Sequence, residues 1–209
     1  MLFFIFLQIL SMLLYPGGTF FNQNHIGYSF TRNFLSDLGR LSTFSLENNF
    51  LSSQIFNMSL ILVGIVFSAF YFHLQKLFVL YKYVPIALIG SIFGILGGIF
   101  LIIVGLTPAD LYFPLHVLSA KWLFRAFFVS SLCYSFVIYH SDFIENKFSV
   151  GYVSFALSIL LYILISELGP SPRESELALT IQVVSQKIIL FIMFFAVHLQ
   201  TKSLERLNI

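Results

Sequence analysis

A single cysteine, Cys133, in 209 residues excludes an internal disulfide and any cysteine-rich metal site. Charge is nearly as scarce. Asp, Glu, Lys and Arg make up 10% of the chain, where a soluble domain carries about a quarter. The net charge of +2 is spread along the sequence, and no basic stripe with interleaved aromatics offers a face to nucleic acid. Catalytic fingerprints are missing as well. Gly-x-Ser-x-Gly, the P-loop, the dinucleotide-binding glycines, His-x-x-x-His and His-Glu-x-x-His do not occur. No cofactor and no metal is therefore expected. Nor is there a long linker, a low-complexity tract or an internal repeat of the kind that marks many transporters.

What fills the space is apolar bulk. Hydrophobic residues make up 58% of the chain, 27 of them Phe, and the mean hydropathy is +0.93. Five segments, roughly 53–75, 83–105, 115–139, 149–168 and 178–199, are long enough to cross a bilayer. Backbone groups cannot stay unpaired in lipid, and twenty-residue runs are too long for barrel strands, so each is expected to be a helix. A sixth apolar run, Leu2 to Tyr15, has no basic residue before it and no Ala-x-Ala after it. It is therefore expected to be a retained helix and not a cleaved signal. Fourteen residues span only about 21 Å at 1.5 Å each, so this helix is expected to continue to Phe21 or to meet a thin membrane. The expected fold class is an all-α polytopic membrane bundle of about six transmembrane helices forming one domain over 1–209.

Orientation follows from Lys and Arg near helix ends. With a cytoplasmic N-terminus, Lys76, Lys82, Lys147, Lys202 and Arg206 fall inside, and Arg32, Arg40 and Arg173 fall outside. That bias predicts both termini in the cytoplasm, with the plasma membrane as the location. The polar loops 16–52, 106–114 and 169–177 then share the outer face. In the first of them, Phe30, Phe34, Leu35, Leu38 and Leu41 recur at helical spacing, with Asn33, Ser36, Asp37 and Arg40 opposite. This pattern predicts an amphipathic segment over about 30–41, shortened or kinked by Gly39.

The run Tyr28-Ser29 … Asn33-Phe34-Leu35-Ser36-Asp37-Leu38-Gly39 resembles the Ser-Asp-Leu-Gly signature of the membrane proteins grouped as Domain of Unknown Function 998. Phe56-Asn57, Val104 to Asp110, His116 and Arg173-Glu174 follow in the same order. The resemblance covers about 28 to 199 and implies a six-helix membrane protein. It implies no reaction, because the family is itself uncharacterised.

Buried charge is the sharpest physical signal. Arg125 and Lys187 lie near the middle of their helices, with Lys121 one turn above Arg125. A cation at that depth costs about 2.5–3.5 kcal/mol on the most lenient insertion scale, and no acidic residue lies at comparable depth in the sequence. Lys121 is close enough to the interface to snorkel. For Arg125 and Lys187, either Asp37, Asp110 or Glu167 reaches inward, or an anionic ligand supplies the countercharge. A guanidinium suits a phosphate or carboxylate head group. His116 lies on the outer face with Asp37 and Asp110, a mixture compatible with acid–base chemistry. At 100° per residue, however, Lys121 and Arg125 point about 140–180° away from it. His73, His140 and His198 fall at inner helix ends. Gly90, Gly94 and Gly98 form a small-residue ridge for helix packing, within the chain or in an oligomer. Gln182 and Gln186 share a face near Lys187.

These residues predict a polar cavity in the outer half, made mainly by the fourth and sixth helices and capped by the segment carrying Asp37. Its expected ligand is an anionic amphiphile such as a membrane lipid. Arg125, Lys187, Lys121 and Gln186 are expected to bind it, with Asp37 and Arg40 ordering the lid. A lipid hydrolase using Asp37, Asp110 and His116, and a structural subunit of a larger membrane complex, are the alternatives.

Overall fold

The computed structural model describes residues 2–80, 82–142 and 144–206, with backbone alone for 200, 201 and 203–206. Six α-helices follow in order: α1 Leu2–Leu14, α2 Phe50–Leu74, α3 Val84–Leu106, α4 Phe113–Tyr139, α5 Ser149–Leu168 and α6 Glu176–Arg206. The last five are long and apolar enough to cross a membrane. The chain is an integral, multi-pass helical membrane protein. Each helix packs on the next, and the Phe4 ring of α1 meets Phe194 of α6 at 6.1 Å, which closes the ring.

α1 does not reach Phe21. Pro16 cannot donate a helical N–H, and Gly18 turns the chain with φ +84 while its N–H donates to the His25 carbonyl. Thirteen residues give about 20 Å, short of a hydrocarbon core of about 30 Å. Two polar contacts pair α1 with the first half of α2: Gln8 Nε2 donates to Ser59 Oγ at 2.7 Å, and Ser11 Oγ to the Ser52 carbonyl at 2.9 Å. The expectation of an N-terminus on the far face therefore loses the full span it rested on.

Loops 15–49, 107–112 and 169–175 lie on one face of the ring, which we call the loop face. The first loop holds no α-helix over 30–41; only Leu35–Gly39 coils, as one 3-10 turn. Burial does not follow the expected apolar side. Asn33 is 0% and Asp37 6% exposed, whereas Phe30 is 49% exposed. Both polar side chains bond to their own backbone, which competes with helix formation. Asp37 Oδ2 accepts the Phe34 N–H at 2.8 Å, and Asn33 Oδ1 accepts the Ser29 N–H at 2.9 Å. The turn is bolted to α2. The Leu38 carbonyl accepts Asn49 Nδ2, and the Gly39 carbonyl accepts Ser53 Oγ and Asn57 Nδ2. A side chain at Gly39 would run into Asn57 and the Phe56 ring, so the contact requires glycine.

Close approach also governs α2, α3 and α4. A Cβ on Gly64 would come within 2.6 Å of the Gly98 carbonyl oxygen, and one on Gly98 within 2.7 Å of the Gly64 oxygen. Gly94 lies against the Tyr71 ring and Gly90 against Tyr134. All three ridge glycines are thus spent inside the chain. Gly90, Gly94 and Gly98 are all buried within the chain, where the small-residue ridge packs against its neighbours. Away from the loop face the ring is filled by Tyr71, Phe127, Tyr134, Tyr152 and Phe155, with Ser91 Oγ and Tyr134 OH 2.5 Å apart.

Candidate functional site

α5 is shorter than its neighbours. Its 20 residues reach about 30 Å, against about 40 Å for the 27 residues of α4. Toward the loop face α4 and α6 therefore continue past the end of α5, and a cavity of about 730 Å³ opens there. Its apolar floor includes Val117, Ala120, Phe124, Tyr162 and Ile163. The first loop roofs it with Phe34, Asp37, Arg40 and Phe44.

The short α5 also settles Arg125. Glu167, in its last turn, comes opposite Arg125 and forms an ion pair with it. The side chains are 34% and 33% exposed. An anion does stand at the depth of this cation; the sequence hides it because two helices of unequal length put it at a helix end.

Lys187 is placed differently. It is 2% exposed and does not line the cavity. Its Nζ donates to the Asn33 carbonyl at 2.7 Å and sits 5.0 Å from the Phe30 ring centroid and 5.4 Å from that of Tyr28. It secures the loop from below. Gln186 lines the cavity but spends Oε1 on the Leu35 N–H at 3.0 Å.

The carboxylates are likewise committed to the loop. Asp110 accepts the Leu41 N–H through both oxygens, each at 3.1 Å, and the Ser42 N–H at 3.0 Å. Asp37 accepts Asn33 Nδ2 in addition to the Phe34 N–H. Burial pushes its carboxyl up to about 6, against the opposing pull of Arg40, these two hydrogen bonds and Lys187. Burial, with the Asp37 charge second, also raises the phenols of Tyr15 and Tyr28. Both stay protonated and donate, Tyr15 to the Gly18 carbonyl and Tyr28 to the Asn33 carbonyl.

His116, Lys121 and Arg125 all line the cavity, although the two cations point about 140–180° away from the histidine. The lining face of α4 runs from Phe113 to Arg125 and covers about half the helix circumference. His116 stands at one edge and the two long cations reach in from the other. The Nδ1–H of His116 donates to the Thr107 carbonyl at 2.7 Å, because a carbonyl can only accept. Nε2 has no partner among the described residues. Ser119, on the same flank, is buried and outside the cavity.

Three lining cations have no carboxylate in ion-pair range among the described residues. Arg40 lies 4.3 Å over the Phe44 ring and donates Nε to the Ser42 carbonyl. Arg173 lies 4.9 Å from the Phe113 ring centroid. Lys121 is exposed and makes no bond within the described residues. Of the other two lining cations, Arg125 has Glu167, and Arg32 pairs with Glu176 at 3.2 Å. Arg32, Arg173 and Asn33 are the site residues that helix-depth reasoning misses, since none lies in a span. Among the described residues no three His, Cys, Asp or Glu side chains converge as a metal site. Comparison with family models, curated proteins and solved structures gives no match for this chain.

Proposed function

We propose that the chain binds an anionic amphiphile, with the polar head at the loop-face mouth of the cavity and the apolar tail against Val117, Phe124 and Ile163. One observation carries this reading: Arg40, Lys121 and Arg173 line one cavity with an apolar floor, and among the described residues none has a carboxylate in ion-pair range. Sites of this size, mostly apolar with a few convergent polar groups, are what small ligands occupy. Arg125 and Lys187, the cations singled out by depth, serve instead to hold α5 and the first loop. Sensing or moving the ligand would use the same contacts.

The reading includes an orientation. The face carrying Lys76, Lys82, Lys147 and Lys202 is cytoplasmic and the loop face is external, in a plasma membrane, following the positive-inside bias. The hydrolase alternative finds less support. Asp110 gives both oxygens, and Asp37 its Oδ2, to backbone N–H groups of the first loop, so both carboxylates are placed as loop anchors.

Mass spectrometry of lipids co-purifying with the wild type and with a Lys121→Gln, Arg173→Gln double variant tests the proposal. An anionic lipid retained by the wild type and depleted at least tenfold in the variant is expected. Identical lipid profiles from two equally folded samples would overturn it.

A further inference from the structure

The charge of the occupant can be narrowed, on the footing of the amphiphile reading. Among the residues that line the cavity are five cations, Arg32, Arg40, Lys121, Arg125 and Arg173, against three carboxylates, Asp37, Asp110 and Glu167. Two positive charges are left over. They belong to the mouth, because the deeper cations are matched: Arg125 has Glu167, and Lys187 shares the Asn33 hub with Asp37.

The donors at the mouth have a definite form. The terminal NH2 groups of Arg40 and Arg173 make no hydrogen bond among the described residues, and each guanidinium is anchored over a phenyl ring. Lys121, an exposed side chain, adds a third donor. His116 supplies the complement: with Nδ1–H fixed on Thr107, the lone pair of the neutral ring is on Nε2.

A carboxylate or a phosphodiester brings one negative charge and two anionic oxygens, which leaves one cation unmatched against an apolar floor. A phosphomonoester brings about −1.5 to −2 charges at neutral pH and three acceptor oxygens. That is one oxygen for each of Arg40, Lys121 and Arg173, and two charges against two. When singly protonated, its P–OH donates to His116 Nε2. We propose that the cavity selects a terminal phosphomonoester over a phosphodiester, and that the group arrives on a lipid.

Thermal-shift titration of the detergent-purified full chain would use dioleoyl phosphatidic acid, dioleoyl phosphatidylglycerol and inorganic phosphate as probes. Phosphatidic acid is expected to bind at least about tenfold more tightly than phosphatidylglycerol, about 1.4 kcal/mol. Lys121→Gln and Arg173→Gln, both on exposed side chains, should each erase most of that preference without lowering the ligand-free Tm. His116→Gln should weaken binding more at pH 6 than at pH 8, because only the protonated phosphate donates to Nε2. Equal affinity for the two lipids would overturn the phosphomonoester inference and leave the amphiphile reading standing. Inorganic phosphate binding as tightly as phosphatidic acid would do the reverse, pointing to a soluble ligand. No response to any of the three would overturn both.

Discussion

The two sides of the helix ring solve the same packing problem in opposite ways. Along α2, α3 and α4, glycine brings backbones into contact: Gly64 faces Gly98, and Gly90 and Gly94 receive the Tyr134 and Tyr71 rings. Along α4, α5 and α6 near the loop face, the contacts are made by Phe124, Tyr162 and Ile163 around an open volume. The first side is closely packed, and neither α2 nor α3 contains an Asp, Glu, Lys or Arg. The second holds most of the cations in the bundle. Close packing in lipid draws on van der Waals contact, because lipid tails supply no hydrophobic drive between helices. A region given over to large side chains, polar groups and a shortened helix stays open unless something fills it.

Substitutions on the tight side should therefore hurt the fold, and substitutions on the open side should hurt ligand binding first. The largest effect is expected at Gly98→Leu, where a Cβ would meet Ser68 Oγ and also the Gly64 carbonyl oxygen and Ser68 N, and backbone cannot swing aside. Overpacking typically costs about 1–3 kcal/mol, and a backbone clash belongs at or beyond the upper end. Thermal unfolding in detergent should show a Tm far below wild type; an unchanged Tm would mean that the two helices are not in contact.

Next in size is Asp110→Ala, which strips two loop N–H groups of a charged acceptor. Such bonds are worth about 1.5–3 kcal/mol, and the loop 41–49 should become a preferred site of limited proteolysis while the helices stay intact. Unchanged cleavage would remove Asp110 from its assigned role.

Asp37 comes third. Its folded carboxyl titrates near 6, above the ordinary 3.8, so the folded state holds its proton more tightly than the unfolded one. Stability should fall as pH rises from about 4 to about 6, and neutral pH carries the whole penalty, on the order of 3 kcal/mol. Asp37→Asn should be more stable than wild type at pH 7 and lose this component of the pH dependence; parallel pH profiles for the two proteins would contradict the assignment. The smallest effect is expected for Arg125 with Glu167. Both are about a third exposed, so a double-mutant cycle with glutamine should give a coupling of about 0.2–1 kcal/mol. A coupling of several kcal/mol would mean that the cavity is dry.

The membrane bundle itself was legible because hydropathy reports directly on what lipid demands. The cavity was legible in outline, because a cation at helix depth needs a partner. Its residues were harder to name. Depth along a helix singled out Arg125 and Lys187, yet the first is answered by Glu167 from a helix of different length, and the second lies under the loop. The unpaired cations are Arg40 and Arg173 in loops and Lys121 at a helix edge, where a positive charge looks unremarkable in sequence. Periodicity over 30–41 failed for a related reason. Asn33 and Asp37 occupy helical positions, but their side chains bond to backbone N–H groups that a helix would need. Gly39 carried the better signal, since a glycine beside Asp37 and Leu38 marks a place where backbone must touch something.

The polar contacts between α1 and α2 bear on how the protein is made. A lone α1 entering lipid would carry the amide of Gln8 and the hydroxyl of Ser11 unsatisfied, and their acceptors on α2 are synthesised some forty to fifty residues later. The first helix becomes comfortable in the bilayer only once the second has arrived, so the two should leave the insertion machinery as a hairpin. The long first loop would then be folded down between them before the remaining four helices close the ring.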